Sequence, residues 1–380
     1  MLPAFYQTIL EKYLSNAQLI TLKMLVWLLQ NQKEVRIERL AATLPLPIQQ
    51  NSRRRHIQRF LNAKALSVVL LWFPIIEEIL SRLFKPESQL VIVLDRTQWK
   101  ENNILMVSVI CQKRALPIFW CLLDKDGCSN LQEQQKVLRP VIRLLKHYQL
   151  VVIGDREFHG IELASWLHTQ GFNFVFRLKK DTTFREKRQK FQPLSTIPIY
   201  PGCRRFYQQV NLTQNPGFGR CNLAVYWKRK YRGKQEPSPW YLSTNLLDVS
   251  TAVKIYRQRF GIEAMFKDCK TGGYNLESSQ ASPDRLVRLI LLIALSMTSA
   301  WLQGQKNQFN RKQSYICRPC EGKRTRRRHS AFWIGLYGQN WIVSLNECQE
   351  LVLSMMATVR NKQLFYQQGL RAMLLIQQPL

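Results

Sequence analysis

Four residues in the stretch YRQRFGIEAMFKDCK, Tyr256, Arg259, Glu263 and Lys270, follow one another at spacings of three, four and seven. If the stretch is helical, about 100° of turn per residue puts all four within a sector of about 60°. One face would then carry an acid flanked by two cations and a phenol. Such an acid can complete a metal site, and the cations and phenol can hold phosphates beside it. Salt-bridged surface helices show the same pattern, so this face alone does not decide. Apolar Ile255, Ile262 and Phe266 lie around the helix beside the sector, where they can hold it to a core.

Two more acids end separate hydrophobic runs, Asp95 in QLVIVLDRTQWK and Asp155 in LVVIGDREF. A carboxylate at the end of a buried strand is costly unless something compensates it. Neighbouring strand-end acids repel, and a divalent cation relieves that repulsion. Hard oxygen donors from different elements suit Mg²⁺ or Mn²⁺. Taken singly, either aspartate reads as a turn or helix-cap residue; as a pair they leave a metal site and a structural role both open. By strand alternation Glu157 shares a face with Asp155 and is the rival acid, while Thr97 and Trp99 share a face with Asp95 and are expected to pack or orient.

The elements that must position these groups follow from texture. Short apolar runs at residues 89–100, 103–123, 150–158 and in FNFVFRLK alternate with helical patterns at 129–148 and in IELASWLHTQG, which predicts an α/β core with a mixed sheet. Residues 112–114 read as a hairpin turn, and Ser129 or Asn130 as a helix cap. Residues 180–247 hold short β-like runs broken by Pro and Gly, a β-rich insertion. Helix returns at about Val249 and runs to Thr271, where Gly272 and Gly273 stop it. The predicted organisation is a helical DNA-binding domain over 1–85, a core over 86–179, the insertion over 180–247, the rest of the core with the catalytic helix over 248–303, and a basic region over 304–380.

The chain has 380 residues, enough for two or three domains, and its 46% hydrophobic content is that of a globular protein. Its 56 Lys and Arg against 25 Asp and Glu leave a net charge of +31. That excess repels itself unless a polyanion is the partner, and nucleic acid gains from counterion release. Residues 35–61 read as a short helix, a turn around Pro45 and Pro47, and a basic helix, an order that suits a helix-turn-helix. Arg53, Arg54, Arg55 and Arg59 are its expected DNA contacts, mainly to phosphates; a solvated basic face is the alternative. The run GKRTRRRH at 322–329 is a further phosphate-binding face or a basic loop. The start MLPAFYQTIL lacks the marks of a secretory signal. The apolar stretches 66–84 and 285–302 read as buried helices rather than membrane spans. Nine scattered cysteines indicate no disulfide framework, and Cys317 and Cys320 with His329 fall short of a four-ligand zinc set.

The motif Y-(2)-R-(3)-E-(6)-K, after LDRTQW and IGDREF, resembles the transposases of bacterial insertion sequences, and specifically insertion-sequence family four. The resemblance covers about residues 90–280, with weaker likeness in RRRHSAFWIGLYG; Phe260 stands where the family often has Trp. It implies a ribonuclease-H-like catalytic core interrupted by the insertion, and an Asp-Asp-Glu triad of Asp95, Asp155 and Glu263 holding two Mg²⁺ or Mn²⁺ ions. It also implies that Tyr256, Arg259 and Lys270 position phosphates, and that a tryptophan of the insertion stacks on a flipped base, Trp240 first and Trp227 second. The expected activity is to bind double-stranded DNA at the element's ends, cut it, and join the 3′-hydroxyl ends to target DNA. The resemblance further implies a homodimer bridging two ends, in a bacterial cytoplasm, with no membrane partner. An inert DNA-binding descendant and a ribonuclease-H-like nuclease remain the alternatives.

Overall fold

Valine and isoleucine crowd the stretch from residue 89 to 111, and β-branched side chains fit a pleated, buried surface. They form β1 (Gln89–Trp99) and β2 (Asn102–Cys111), followed by β3 (Arg114–Leu122). Gln112 and Lys113 between β2 and β3 both have positive φ, the two-residue turn whose twist matches a hairpin. The structure, a computed structural model, describes residues 2–186, 189–214, 221–230, 236–318 and 328–378, with Arg360 described by its backbone alone. Cys320 and most of the 322–329 basic run lie outside the described residues.

The chain divides into two units, residues 76–266 and residues 1–75 with 267–380. The first is a mixed α/β unit. Its further strands are β4 (Gln149–Gly154), β5 (Asn173–Arg177), β6 (Thr183–Arg185), β7 (Gln192–Pro193), β8 (Arg204–Leu212), β9 (Cys221–Tyr226) and β10 (Trp240–Thr244). Among the described residues they form one ten-stranded sheet in the order β3-β2-β1-β4-β5-β10-β9-β8-β6-β7. Strands β1, β4 and β5 run parallel; every other pairing is antiparallel. The parallel strands are buried along Leu90–Leu94, Leu150–Ile153 and Phe174–Phe176, which is why they read as continuous apolar runs. The helix Leu131–Leu144 packs on β2 and β3, Ile161–Thr169 on β5, and Val249–Tyr256 on β4, β5, β8 and β9. The expected insertion over 180–247 is not set apart. Its last strand, β10, pairs with β5, so these strands extend the core sheet.

The second unit is helical and joins the two ends of the chain, which the sequence reading had kept apart. Its helices include Asn16–Gln32, Ile37–Thr43, Gln50–Leu61, Pro283–Phe309 and Ala331–Glu347. Glu34 accepts from Ser278 Oγ at 2.6 Å and Asn275 Nδ2 at 3.2 Å, Gln30 Nε2 donates to the Ser296 carbonyl at 3.2 Å, and Arg288 donates to the Leu61 carbonyl at 2.9 Å. Pro283–Phe309 is long and apolar enough to cross a bilayer, but its most apolar window is 78% buried inside the protein, as a core helix is. It meets Ala331–Glu347 backbone to backbone. A β-carbon on Gly335 would collide with the Ala300 carbonyl, and one on Gly304 with the Ala331 carbonyl. Gly335→Val should therefore destabilise this unit by about 3 kcal/mol, the upper range for overpacking. Gly369→Ala, with nothing near the added carbon, should not lower the melting temperature. Thermal melts of the two variants check the contrast.

Candidate active site

The register of the parallel strands builds the site. Leu94 on β1 pairs with Gly154 on β4, and Gly154 pairs with Phe176 on β5. The next residues, Asp95, Asp155 and Arg177, therefore lie side by side where β4 and β5 end; Asp95 does not end its own strand as expected, because β1 leaves β4 there but stays paired with β2 through Asp95↔Met106 and on to Trp99. The loop beyond the carboxyl ends of such strands is where open α/β sheets bind ligands. Asp155 also caps the short turn Arg156–Phe158, accepting from the Glu157 amide at 2.9 Å. The turn-cap role and a place beside Asp95 thus coexist in one side chain.

Glu263 reaches this end from the helix Phe260–Cys269. Ile262 and Met265 bury one side of that helix, with Ser108 Oγ on β2 3.7 Å from the Met265 sulfur. A β-carbon on Gly261 would stand 3.1 Å from the Lys113 carbonyl and 3.2 Å from the Ala115 nitrogen, so a small residue lets the helix lie against the hairpin. The expected single helix from Val249 to Thr271 is broken. Val249–Tyr256 ends in a tighter turn, Arg257–Arg259, before Phe260–Cys269 begins. The 100° spacing accordingly fails across Arg257–Arg259. Beyond Cys269 the chain turns at Gly273, where a β-carbon would collide with the Asp268 carbonyl; close approach, not positive φ, requires glycine there.

Arg259 ties Asp95 to Glu263. Its guanidinium donates to Asp95 Oδ2 at 3.0 Å and to Glu263 Oε1, while Asp95 Oδ1 accepts from the Arg96 amide at 2.8 Å. Burial raises the Asp95 carboxyl from its ordinary 3.8 to about 7; Arg259 opposes the rise, and Asp155 and Glu263 add to it. Burial works against the Arg259 charge, but Tyr256, Asp95, Glu263 and Asp155 hold its pKa above the ordinary value. Asp95, Asp155 and Glu263 are hard oxygen donors from one strand, the end of its parallel neighbour and a helix, and the strain on the Asp95 charge is what a divalent cation would relieve. The donor set fits Mg²⁺ or Mn²⁺ in kind. Among the described residues no three Asp, Glu, His or Cys side chains are drawn together at metal-binding distance; Arg259 lies between Asp95 and Glu263.

The rival acid, Glu157, is committed elsewhere. Its carboxylate accepts from Arg96 Nε at 2.8 Å, from the Ser129 amide at 3.0 Å and from Ser129 Oγ at 2.9 Å. Arg96 also reaches Gln98 and Asn103 at 2.9 Å each. This half-buried pair fastens the Asp155 turn to β1. Removing one partner of such a pair leaves an uncompensated charge. Glu157→Ala should lower stability by about 3 kcal/mol, read by chemical denaturation, with Mn²⁺ affinity unchanged in the molecules that remain folded.

Other expected site residues take different places. Trp240 is only 6% exposed, and its ring lies 5.1 Å from that of Tyr256 and 5.8 Å from that of Tyr226. It is a core residue beneath the acids, with no face open to a base. Tyr256 is 2% exposed beside Arg177 and Arg259; burial pushes its phenol up, and its hydroxyl is not presented to an outside phosphate. Phe260, 52% exposed, is the aromatic that stays open next to Trp240. Trp227 donates its indole N–H to the Glu236 carbonyl at 2.9 Å. Lys270 lies in the helical unit and pairs with Glu277 at 2.7 Å. Arg53 is consumed by the turn between the two N-terminal helices, and Arg54 pairs with Glu38 at 3.2 Å. Arg177 was missed in the sequence, although it closes an apolar run just as the two aspartates do.

Two aspartates on neighbouring parallel strands, one of them joined through an arginine to a helix glutamate, define an acid site on a mixed α/β sheet. Residues 125–298, just under half of the chain, match the profile of the family described as Transposase DDE domain. The matched segment contains Asp155 and Glu263 and begins after Asp95. The match supports a DDE transposase, a DNA-cleaving enzyme. Among solved structures the chain is similar to the piggyBac transposase synaptic complex with hairpin DNA, at 13% identity and a TM-score of 0.44 over 88% of this chain and 73% of that one. It also matches Marinitoga piezophila Argonaute in complex with a 5′-hydroxyl guide RNA, at 8% identity and a TM-score of 0.22 over 55% and 30% of the two chains. No curated protein matches.

Proposed function

We infer that this chain is a cut-and-paste DNA transposase of the insertion-sequence family four type, with a ribonuclease-H-like core around β1, β4 and β5. The observation that carries the reading is the register that sets Asp95 beside Asp155, with Glu263 joined to Asp95 through Arg259. The family match over residues 125–298 supports it. Asp95, Asp155 and Glu263 would hold the two divalent ions. When bound, such ions supply a nucleophile at neutral pH and stabilise the leaving oxygen of an in-line displacement.

The protein's own residues do the rest. Arg259, released from the acids, turns its guanidinium to a phosphate, a planar fork suited to that geometry. Arg177 keeps a positive charge behind Asp155, offsetting the charge that DNA brings. Buried Trp240 and Tyr256 keep this floor rigid, and exposed Phe260 offers the face on which an unpaired base can stack. The helical unit binds the ends of the element, and a homodimer in a bacterial cytoplasm brings two ends together.

The test is incubation of the full chain with Mg²⁺, a plasmid carrying the gene's flanking ends, and a target plasmid. Cut ends joined to the target are the expected products. Cutting without joining would assign a nuclease instead, and binding of verified ends without cutting would assign an inert DNA-binding protein.

A further inference from the structure

The four arginines of the helix Gln50–Leu61 are alike in sequence, but the fold sorts them. Arg53 donates to the Ala41 carbonyl at 2.7 Å and the Ile48 carbonyl at 3.0 Å, so it closes the turn before its helix. Arg54 is held by Glu38. Arg55 and Arg59 stay exposed. They are four residues apart and so share one helix face. Arg285 joins them from the first turn of Pro283–Phe309, within the same unit. Its Nε donates to Asn62 Oδ1 at 3.0 Å, which fixes the guanidinium and leaves its terminal nitrogens for another partner.

Ser52, Arg55, Gln58, Arg59, Asn62 and Arg285 line a cleft of about 430 Å³. Among the described residues no carboxylate lines it. Three guanidiniums around one cleft repel one another, and an anion removes that penalty. The neutral side chains of Ser52, Gln58 and Asn62 add hydrogen-bonding groups that a phosphate oxygen can use. Arg55 and Arg59 lie about 6 Å apart along the helix axis, a span that reaches successive phosphates of one strand rather than a single small anion. Resting on the transposase reading, we propose that this cleft clamps the backbone of duplex DNA, with Arg285 as a phosphate contact outside the basic helix.

Backbone contacts carry no base information, so a fluorescent duplex of arbitrary sequence is a sufficient probe. Its affinity for the full chain is measured by anisotropy across a salt series. Each lost phosphate contact lowers the slope of log affinity against log salt by about one. Arg285→Ala and Arg59→Ala should each lower it by that amount, and Arg285→Lys should restore the wild-type slope. Asn62→Ala removes no charge but releases the Arg285 guanidinium, so it should weaken binding at every salt concentration while leaving the slope unchanged. Arg53→Ala should lower the melting temperature and leave the slope alone. Wild-type binding with an unaltered slope in the Arg285 and Arg59 alanine variants, both folded by thermal melt, would overturn the clamp while leaving the transposase reading intact. Failure of the wild type to bind any duplex would remove both. Anionic phosphatidylserine vesicles bound with the same dependence on Arg285 would overturn the assignment to DNA.

Discussion

Glu263→Gln should abolish strand cleavage while leaving fold and DNA binding in place. The substitution keeps size and removes one charge. Glu263 is half exposed, and its pair with Arg259 is the kind worth at most about 1 kcal/mol to stability, so the melting temperature should hardly move. Activity is a different matter, because residues that merely support metal ligands are worth about 10- to 100-fold. Loss of a ligand itself should then exceed about 100-fold in the rate of end cleavage, with Mn²⁺ affinity falling alongside it. The assay is end cleavage with Mg²⁺, paired with anisotropy for DNA affinity. Cleavage within a few-fold of wild type would remove Glu263 from the triad, and with it the functional role of its helix.

Much of the site was legible in the sequence, and for a reason. A strand buried on both faces shows as a continuous apolar run, so a charge that closes the run stands out, as at Asp95, after which β1 continues, and at Asp155, which follows β4. Arg177 carries the same signature, but a single cation in a chain with 56 Lys and Arg does not stand out. Which strands are neighbours is set by long-range pairing, so that Asp95 and Asp155 meet could only be inferred from chemistry. The break at Arg257–Arg259 was hidden, since no Pro or Gly precedes Gly261 in that stretch. Trp240 shows another limit: a tryptophan in a β run looks the same whether it faces a core or a base, and its neighbours Tyr226 and Tyr256 decide. Arg53 and Arg55 differ only by which carbonyls lie within reach. The joining of the chain's two ends through Glu34, Asn275 and Ser278 has no local signal at all. The hairpin turn at Gln112–Lys113 and the Asn130 cap were legible because each is settled within a few residues.

Asp95→Asn should stabilise the cation-free protein by an amount that grows from about pH 4 and is complete above about pH 7. The physical cause is the buried position of the carboxylate, which raises its pKa from the ordinary 3.8 to about 7 in spite of Arg259. The unfolded chain ionises Asp95 from about pH 4 upward, whereas the folded chain keeps the proton until about pH 7. Across that window the folded state binds more protons, so its stability falls as pH rises. At about 1.4 kcal/mol per pH unit the wild type loses on the order of 4 kcal/mol, complete above pH 7. Asparagine cannot ionise and escapes the loss. Urea denaturation in the presence of a chelator should therefore show little difference between the two proteins near pH 4 and a gap of about 4 kcal/mol in favour of Asn at pH 8. Mg²⁺ at pH 8 should raise the wild type and not the variant, because the ion stabilises the same charge that burial penalises. A gap that stays constant from pH 5 to pH 8 would mean that Arg259 already compensates Asp95 in full. The acid site would then have no unrelieved charge to draw a cation in. A gap that opens with pH and closes with Mg²⁺ would make the instability of the empty site the source of its affinity for metal.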